Sequence, residues 1–263
     1  MVGYFRYPNK PFNLTELARP PWSSKSINPK TKMKNFVLTF LSCTLFTTML
    51  IAQADCEPYL PTEEGTSWEL THYSAKGKVS GVMQYELLEK TVDGDDMTFK
   101  VKATTFDKNE EEVYTSDFEA FCKAGEFSYD MTFMMDGAAM EAYSEMDVEV
   151  DGGEFSLPDL DAPAGTTLPD GHLDIRVGAG GGININMAID ITDRKIEGRE
   201  EITTPAGTFN CVVLSQTTST KTIMRVETSS KDWYAPGVGV VRSESYNRKG
   251  KLTGYSELTA LDQ

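Results

Sequence analysis

Short runs of alternating apolar and polar residues, each ended by a turn signal, constrain this chain more than any other feature. Met97-Thr98-Phe99-Lys100-Val101-Lys102-Ala103 alternates cleanly. Ile183 to Ile191 does the same and puts Ile183, Ile185, Met187, Ile189 and Ile191 on one face. A side-chain period of two belongs to a strand with one buried face. The runs are separated by Ala75-Lys76-Gly77, Asp93-Gly94-Asp95-Asp96 and Asp107-Lys108-Asn109. Connections that short join neighbours as hairpins, so the sheet is expected to be antiparallel. The pattern predicts roughly ten to twelve strands at the spacing of sandwiches and barrels. Pro205-Ala206-Gly207-Thr208 and Ala235-Pro236-Gly237-Val238-Gly239 read as further turns between strands.

One stretch departs from that period. Met135, Ala139, Tyr143 and Met146 fall on one face of a helix, which predicts a short helix or flap near 135–146. Residues 151–170 are rich in Gly, Pro and Asp and read as an exposed loop. The strand signature is alike on both sides, so residues 55–263 are expected to form a single β-rich domain.

The N-terminal part reads differently. Lys34 precedes the apolar run Phe36 to Ala52, and Ala52-Gln53-Ala54 follows. A basic start, an apolar stretch and an A-x-A site are the parts of a secretory signal peptide, expected at 33–54. The run is short for a spanning helix, so no stable membrane span is expected after cleavage. No lipid-attachment box precedes Cys43 or Cys56. Residues 1–32 hold six Lys/Arg and one acid, Glu16, and read as a mis-assigned start or a disordered extension.

Charge and cysteines bound the function. The chain has 25 Lys+Arg and 40 Asp+Glu, a net charge of −15. Residues 1–54 carry seven of the basic residues and one acid, which leaves 18 basic and 39 acidic residues beyond them. That balance argues against nucleic acid, and against an anionic membrane as the main partner. Export favours one disulfide among Cys56, Cys122 and Cys211, and spacing does not choose among the three pairings. No C-x-x-C and no Cys/His cluster occurs, so neither redox chemistry nor a zinc site is expected. The two histidines, His72 and His172, lie far apart in sequence.

Candidate sites are few. Met131, Met134, Met135, Met140 and Tyr143 are the candidate ligand-binding residues, because Met is flexible and polarizable. Core or flap packing comes first for them, contact with an apolar ligand second, and Cu(I) a distant third. Val177 to Gly182 lacks the Lys-Ser/Thr and the helix of a phosphate loop and reads as a turn. Asp93, Asp95 and Asp96, and Asp147, Glu149 and Asp151, offer oxygens for Ca²⁺ but at no EF-hand spacing. No nucleophile motif is present, which points away from an enzyme, and no cofactor or metal is expected.

Four segments carry a family resemblance. They are Cys56-Glu57-Pro58-Tyr59-Leu60-Pro61 with Tyr73 to Gly81, then Asp193 to Cys211, Tyr234 to Tyr246, and Lys249 to Thr259. Together they resemble the TapB-like family of secreted proteins, similar to domain-of-unknown-function 3108-like proteins, over residues 56–261. The resemblance implies an exported all-β fold: an antiparallel curved sheet forming an incomplete or closed, lipocalin-like barrel. It implies no activity. Two functions are then expected to compete: a carrier of a small apolar molecule, or an envelope module with a filled core that meets another protein.

Overall fold

A computed structural model describes residues 56–131, 146–159, 162–179 and 183–262. All of them fall in one compact unit, 52–263. The described residues form thirteen strands, one more than the pattern suggested. They are β1 (Ser67–Ser74), β2 (Val79–Asp93), β3 (Asp96–Asp107), β4 (Glu112–Lys123), β5 (Glu126–Asp130), β6 (Asp147–Gly152) and β7 (Glu154–Ser156). Then come β8 (Gly171–Ala179), β9 (Ile183–Thr204), β10 (Gly207–Lys221), β11 (Arg225–Ala235), β12 (Gly239–Asn247) and β13 (Leu252–Asp262). The helix or flap expected at 135–146 lies almost wholly outside the described residues.

The strands make one antiparallel sheet in the order β6-β8-β9-β10-β11-β12-β13-β1-β2-β3-β4-β5-β7. It is nearly closed into a barrel, with one unsealed seam. Most neighbours are hairpins, as the turn chemistry predicts. The exception near the middle is β13 on β1, which pairs Ser67 with Asp262 and joins the two ends of the strand series. The seam falls between β6 and β7, yet these two edges are consecutive in the chain and linked through Gly153 alone.

The interior follows from the period of two. On β3 the inward residues are Phe99, Val101 and Ala103, and on β4 they are Phe118, Ala120 and Cys122. Phe99 lies opposite Ala120, and Phe118 opposite Val101, so large and small side chains alternate across the pair. Trp68 stacks on Tyr85, with centroids 5.2 Å apart. Phe99, Phe155, Leu87, Met131, Leu173, Ile191, Ile196, Leu214, Val101 and Leu258 are all less than 2% exposed. The alternation read at Ile183–Ile191 places Ile189 and Ile191 in this core. That run continues to Thr204 as one strand. Asp193 takes a left-handed conformation (φ 54°), and the register with β10 shifts across it, between the Lys195–Ser215 and Thr192–Thr217 pairs. Asp tolerates that region, and the bulge bends the strand without ending it.

A buried arginine crosses the seam. Arg194, on β9, is 2% exposed. It donates to the Ser156 carbonyl on β7 (2.5 Å) and to the Pro169 carbonyl just before β8 (2.6 Å). Its guanidinium carbon lies 3.7 Å from the centre of the Phe155 ring. Burial pulls its pKa down, but a guanidinium stays charged at any physiological pH.

A plug closes the barrel end nearest the seam. Cys56 is bonded to Cys122 on β4, which resolves the pairing that spacing left open. Tyr59 sits edge-on to Tyr234 and tilted against Phe127. Its carbonyl accepts from the Tyr129 hydroxyl (2.6 Å), and its own hydroxyl donates to the Pro158 carbonyl (3.1 Å). The β11–β12 turn grips the same segment. Gly237 N–H donates to the Pro58 carbonyl (2.7 Å), and Gly239 (φ 104°) is so close to Tyr59 that a Cβ would sit 2.9 Å from its carbonyl oxygen. Two segments of the family resemblance, 56–61 and 235–239, therefore meet in space.

Two outcomes are expected. Replacing Arg194 with Met should strand two carbonyls at the seam and cost about 3 kcal/mol, read as a lower urea midpoint. Opening the Cys56–Cys122 bridge, which spans 66 residues, should cost about 4 kcal/mol on chain-entropy grounds, read as a lower Tm under reductant.

Candidate functional site

A cleft of about 490 Å³ lies beside the seam. It is built from pieces that the fold holds independently. Cys56 and Glu57 come from the plug, and the disulfide fixes them to β4. Gly125 and Glu126 come from the tight β4–β5 turn, where Ala124 and Gly125 both have positive φ. Ser156 to Asp159 follow β7. The far wall is the segment before β8. It is tied to β9 by Gly165 N–H to the Ile196 carbonyl (2.7 Å), Ile196 N–H to the Thr166 carbonyl (2.9 Å) and Leu168 N–H to the Arg194 carbonyl (3.0 Å). Arg194 thus holds both walls, through Ser156 on one side and Pro169 on the other.

The cleft has an apolar floor and an acidic rim. Phe127 and Leu157 are buried there, and Leu168 is half-buried. Glu57, Glu126 and Asp159 are exposed around them. A concavity of this size and lining suits a side chain or small molecule with an apolar body and a positive end. Its lining contains no histidine and no free thiol, because Cys56 is in the disulfide. Among the described residues no cluster of His, Cys, Asp and Glu could hold a metal ion.

The residues singled out in the sequence fall elsewhere. Met131 is fully buried at the seam, where Gly152 and Gly171 leave room for it beside Phe155. Met134, Met135, Met140 and Tyr143 lie outside the described residues. Cys211 is buried and unpaired, and burial pushes its thiol up to about 12. Asp147, Glu149 and Asp151 are exposed along β6, as the wet face of an edge strand. Asp96 accepts from the Ala124 backbone (3.1 Å) at the β2–β3 turn, a structural role. Val177, Gly178 and Ala179 belong to β8, so the described part of the stretch read as a turn is strand, and residues 180–182 lie outside the described residues.

The interior also holds buried polar groups. Asp232 is buried and accepts from Ser243 (2.5 Å), Ser230 (2.7 Å) and Gln216 (3.1 Å). Burial is the largest influence on its carboxyl and pushes its pKa up, against the pull of those three donors. His72 shares the inward face of β1 with Trp68 and Leu70, and its Nδ1 lies 2.7 Å from Ser256 Oγ. Desolvation holds the His72 pKa below its ordinary value. None of this cluster opens into the seam cleft. Sequence reasoning missed Arg194 and Asp232, because each stands in an ordinary charged run.

The His72 shift has a sign that can be checked. A lowered folded pKa means the unfolded chain binds the proton first, so stability is full above pH 6.5 and falls as pH drops below it. The urea midpoint of the wild type should fall more between pH 7 and pH 5 than that of His72→Gln.

One solved structure, a Bacteroides fragilis protein described as exported and YmcC-like in fold, is 25% identical with a TM-score of 0.69. The match covers 79% of this chain and 100% of that one. A Parabacteroides distasonis protein described as a lipoprotein is 27% identical with a TM-score of 0.68, at the same coverage. No curated protein matches the chain. The DUF3108-like family model covers residues 63–258. The chain therefore belongs to the DUF3108-like family, one of the two groups its sequence resembles.

Proposed function

We propose that this chain is an exported, non-catalytic cell-envelope protein that holds a partner in the seam cleft while its barrel stays filled. The observation that carries the reading is the packed interior. Leu87, Phe99, Val101, Ile196, Leu214 and Leu258 fill the space where a lipocalin-like carrier would hold its cargo. The sequence offered a carrier and a filled-core interaction module, and this packing favours the second. The matched Bacteroides and Parabacteroides proteins, described as exported and as a lipoprotein, support an envelope location. The buried carboxyl of Asp232 is engaged by three donors and does not line the cleft, which supports a role without catalysis.

The partner surface expected at the cleft is an apolar side chain next to a cationic or amide-rich group, matched to Phe127, Leu168 and the carboxylates of Glu57, Glu126 and Asp159. The test exports the chain, purifies it without detergent and extracts it for mass spectrometry, then uses it as bait on envelope extracts. Glu126→Lys and Leu168→Glu serve as matched baits. The expected result is no stoichiometric apolar molecule, and one captured protein that both variants lose by about tenfold with Tm unchanged. A stoichiometric lipid in the extract overturns the reading in favour of a carrier. Capture indifferent to both variants overturns the cleft as the site.

A further inference from the structure

The barrel end opposite the cleft carries a feature that the net charge conceals. The sheet order places three hairpins side by side: β10–β11, β12–β13 and β1–β2. Their tips all point away from the plug end, because the β9–β10, β11–β12, β2–β3 and β4–β5 turns lie at the other end. Neighbouring tips touch: Ala75 N–H donates to the Thr253 carbonyl, and Arg225 and Val226 share a shallow groove with Arg248 and Lys249.

These tips are basic in an acidic protein. The β1–β2 tip has Lys76 and Lys78, the β10–β11 tip has Lys221 and Arg225, and the β12–β13 tip has Arg248, Lys249 and Lys251. The stretches 74–79, 220–226 and 247–252 contain no Asp or Glu. Arg248 meets Glu227 at 3.3 Å and Arg225 meets Asp190 at 3.9 Å, both as exposed pairs that contribute little. The patch has a boundary, since the adjacent β3–β4 tip carries Asp107, Glu110, Glu111 and Glu112.

The same tips expose apolar side chains. Ile223 is 100% exposed, Met224 73%, Val226 57% and Val79 46%. Three of the four most exposed large apolar residues described are here, and the fourth, Val92 (60%), lies by the β2–β3 turn at the other end. Nothing in the barrel requires Ile and Met at the tip of a hairpin, where turn chemistry favours Gly, Asn or Asp. Apolar tips flanked by Lys and Arg are the pattern that lies in the interface of an anionic bilayer, with the apolar groups among the acyl chains and the cations at the headgroups.

We propose that the β10–β11, β12–β13 and β1–β2 tips dock this protein on an anionic phospholipid surface, with Ile223 and Met224 inserted. The acidic excess beyond residues 1–54, 39 acidic against 18 basic residues, weighs against a membrane as a bulk attraction but not at this end. Screening limits each charge to about 10 Å at moderate salt, so a membrane feels the tips and not the acidic cleft end. Docked this way, the cleft faces away from the bilayer and stays open. The proposal rests on a different surface from the cleft reading and stands or falls without it.

The test uses phosphatidylcholine vesicles with and without phosphatidylglycerol, and reads co-sedimentation of the full chain. Binding is expected only to the anionic vesicles and should be released by high salt. Lys249→Glu and Lys251→Glu should each weaken the partition by about fivefold or more. Ile223→Asp together with Met224→Asp should abolish it, while Glu126→Lys at the cleft leaves it unchanged. All of these positions are exposed, and an unchanged Tm confirms that each variant folds. A dye on Met224→Cys should shift to the blue on anionic vesicles. Absent binding, equal binding to neutral vesicles, or a dye unmoved while the protein sediments overturns the proposal. So does self-association that the tip variants abolish, which would make the occupant the acidic face of a second copy.

Discussion

A sheet that curls almost shut leaves one place where backbone groups lack a neighbouring strand, and here that place is held by Arg194. An open edge inside a protein must satisfy its carbonyls or lose their hydration without compensation. Arg194 supplies two charge-assisted donors to carbonyls on opposite sides of the seam and lays its planar face on Phe155. A lysine could not do this, since it offers a point charge and no fork. The same guanidinium positions Ser156 and Pro169, which are two walls of the cleft. The seam is thus both the weak point of the closure and the reason a concavity exists there.

The plug solves a second problem of closure. A barrel end opens the core to water unless something covers it. Cys56–Leu60 covers this one, and its anchoring is redundant: a disulfide to β4, hydrogen bonds to β5 and the β11–β12 turn, and ring contacts to Phe127 and Tyr234. Burial pushes the phenols of Tyr59 and Tyr129 upward, so both stay neutral donors to the carbonyls that bracket the plug. The glycine at 239 has a steric cause, since any Cβ there would collide with the Tyr59 carbonyl. The A-P-G-V-G segment is a turn shaped to receive the N-terminal strap.

The two ends of the barrel differ in chemistry because hairpin connections alternate between them. Even a modest bias in turn composition is then sorted by end. Turns at the plug end carry Asp93, Asp95, Asp96 and Glu126, while three of those at the far end carry lysine and arginine. A single net charge averages over this polarity.

By itself, the sequence determined what is local: the period of two, the turns at 75–77, 93–96, 107–109, 205–208 and 235–239, and hence an antiparallel all-β fold. Those signals rest on side-chain alternation and backbone preference within a few residues. It also carried the family, through segments whose spacing is intact. Only the tertiary structure decided the rest. The partner of Cys56, the pairing of β1 with β13, the burial of Arg194 in a run that reads as surface, and the convergence of Glu57, Glu126 and Asp159 all join residues distant in sequence. Such contacts depend on how the sheet curls, and curvature is a sum over every strand that no short segment encodes.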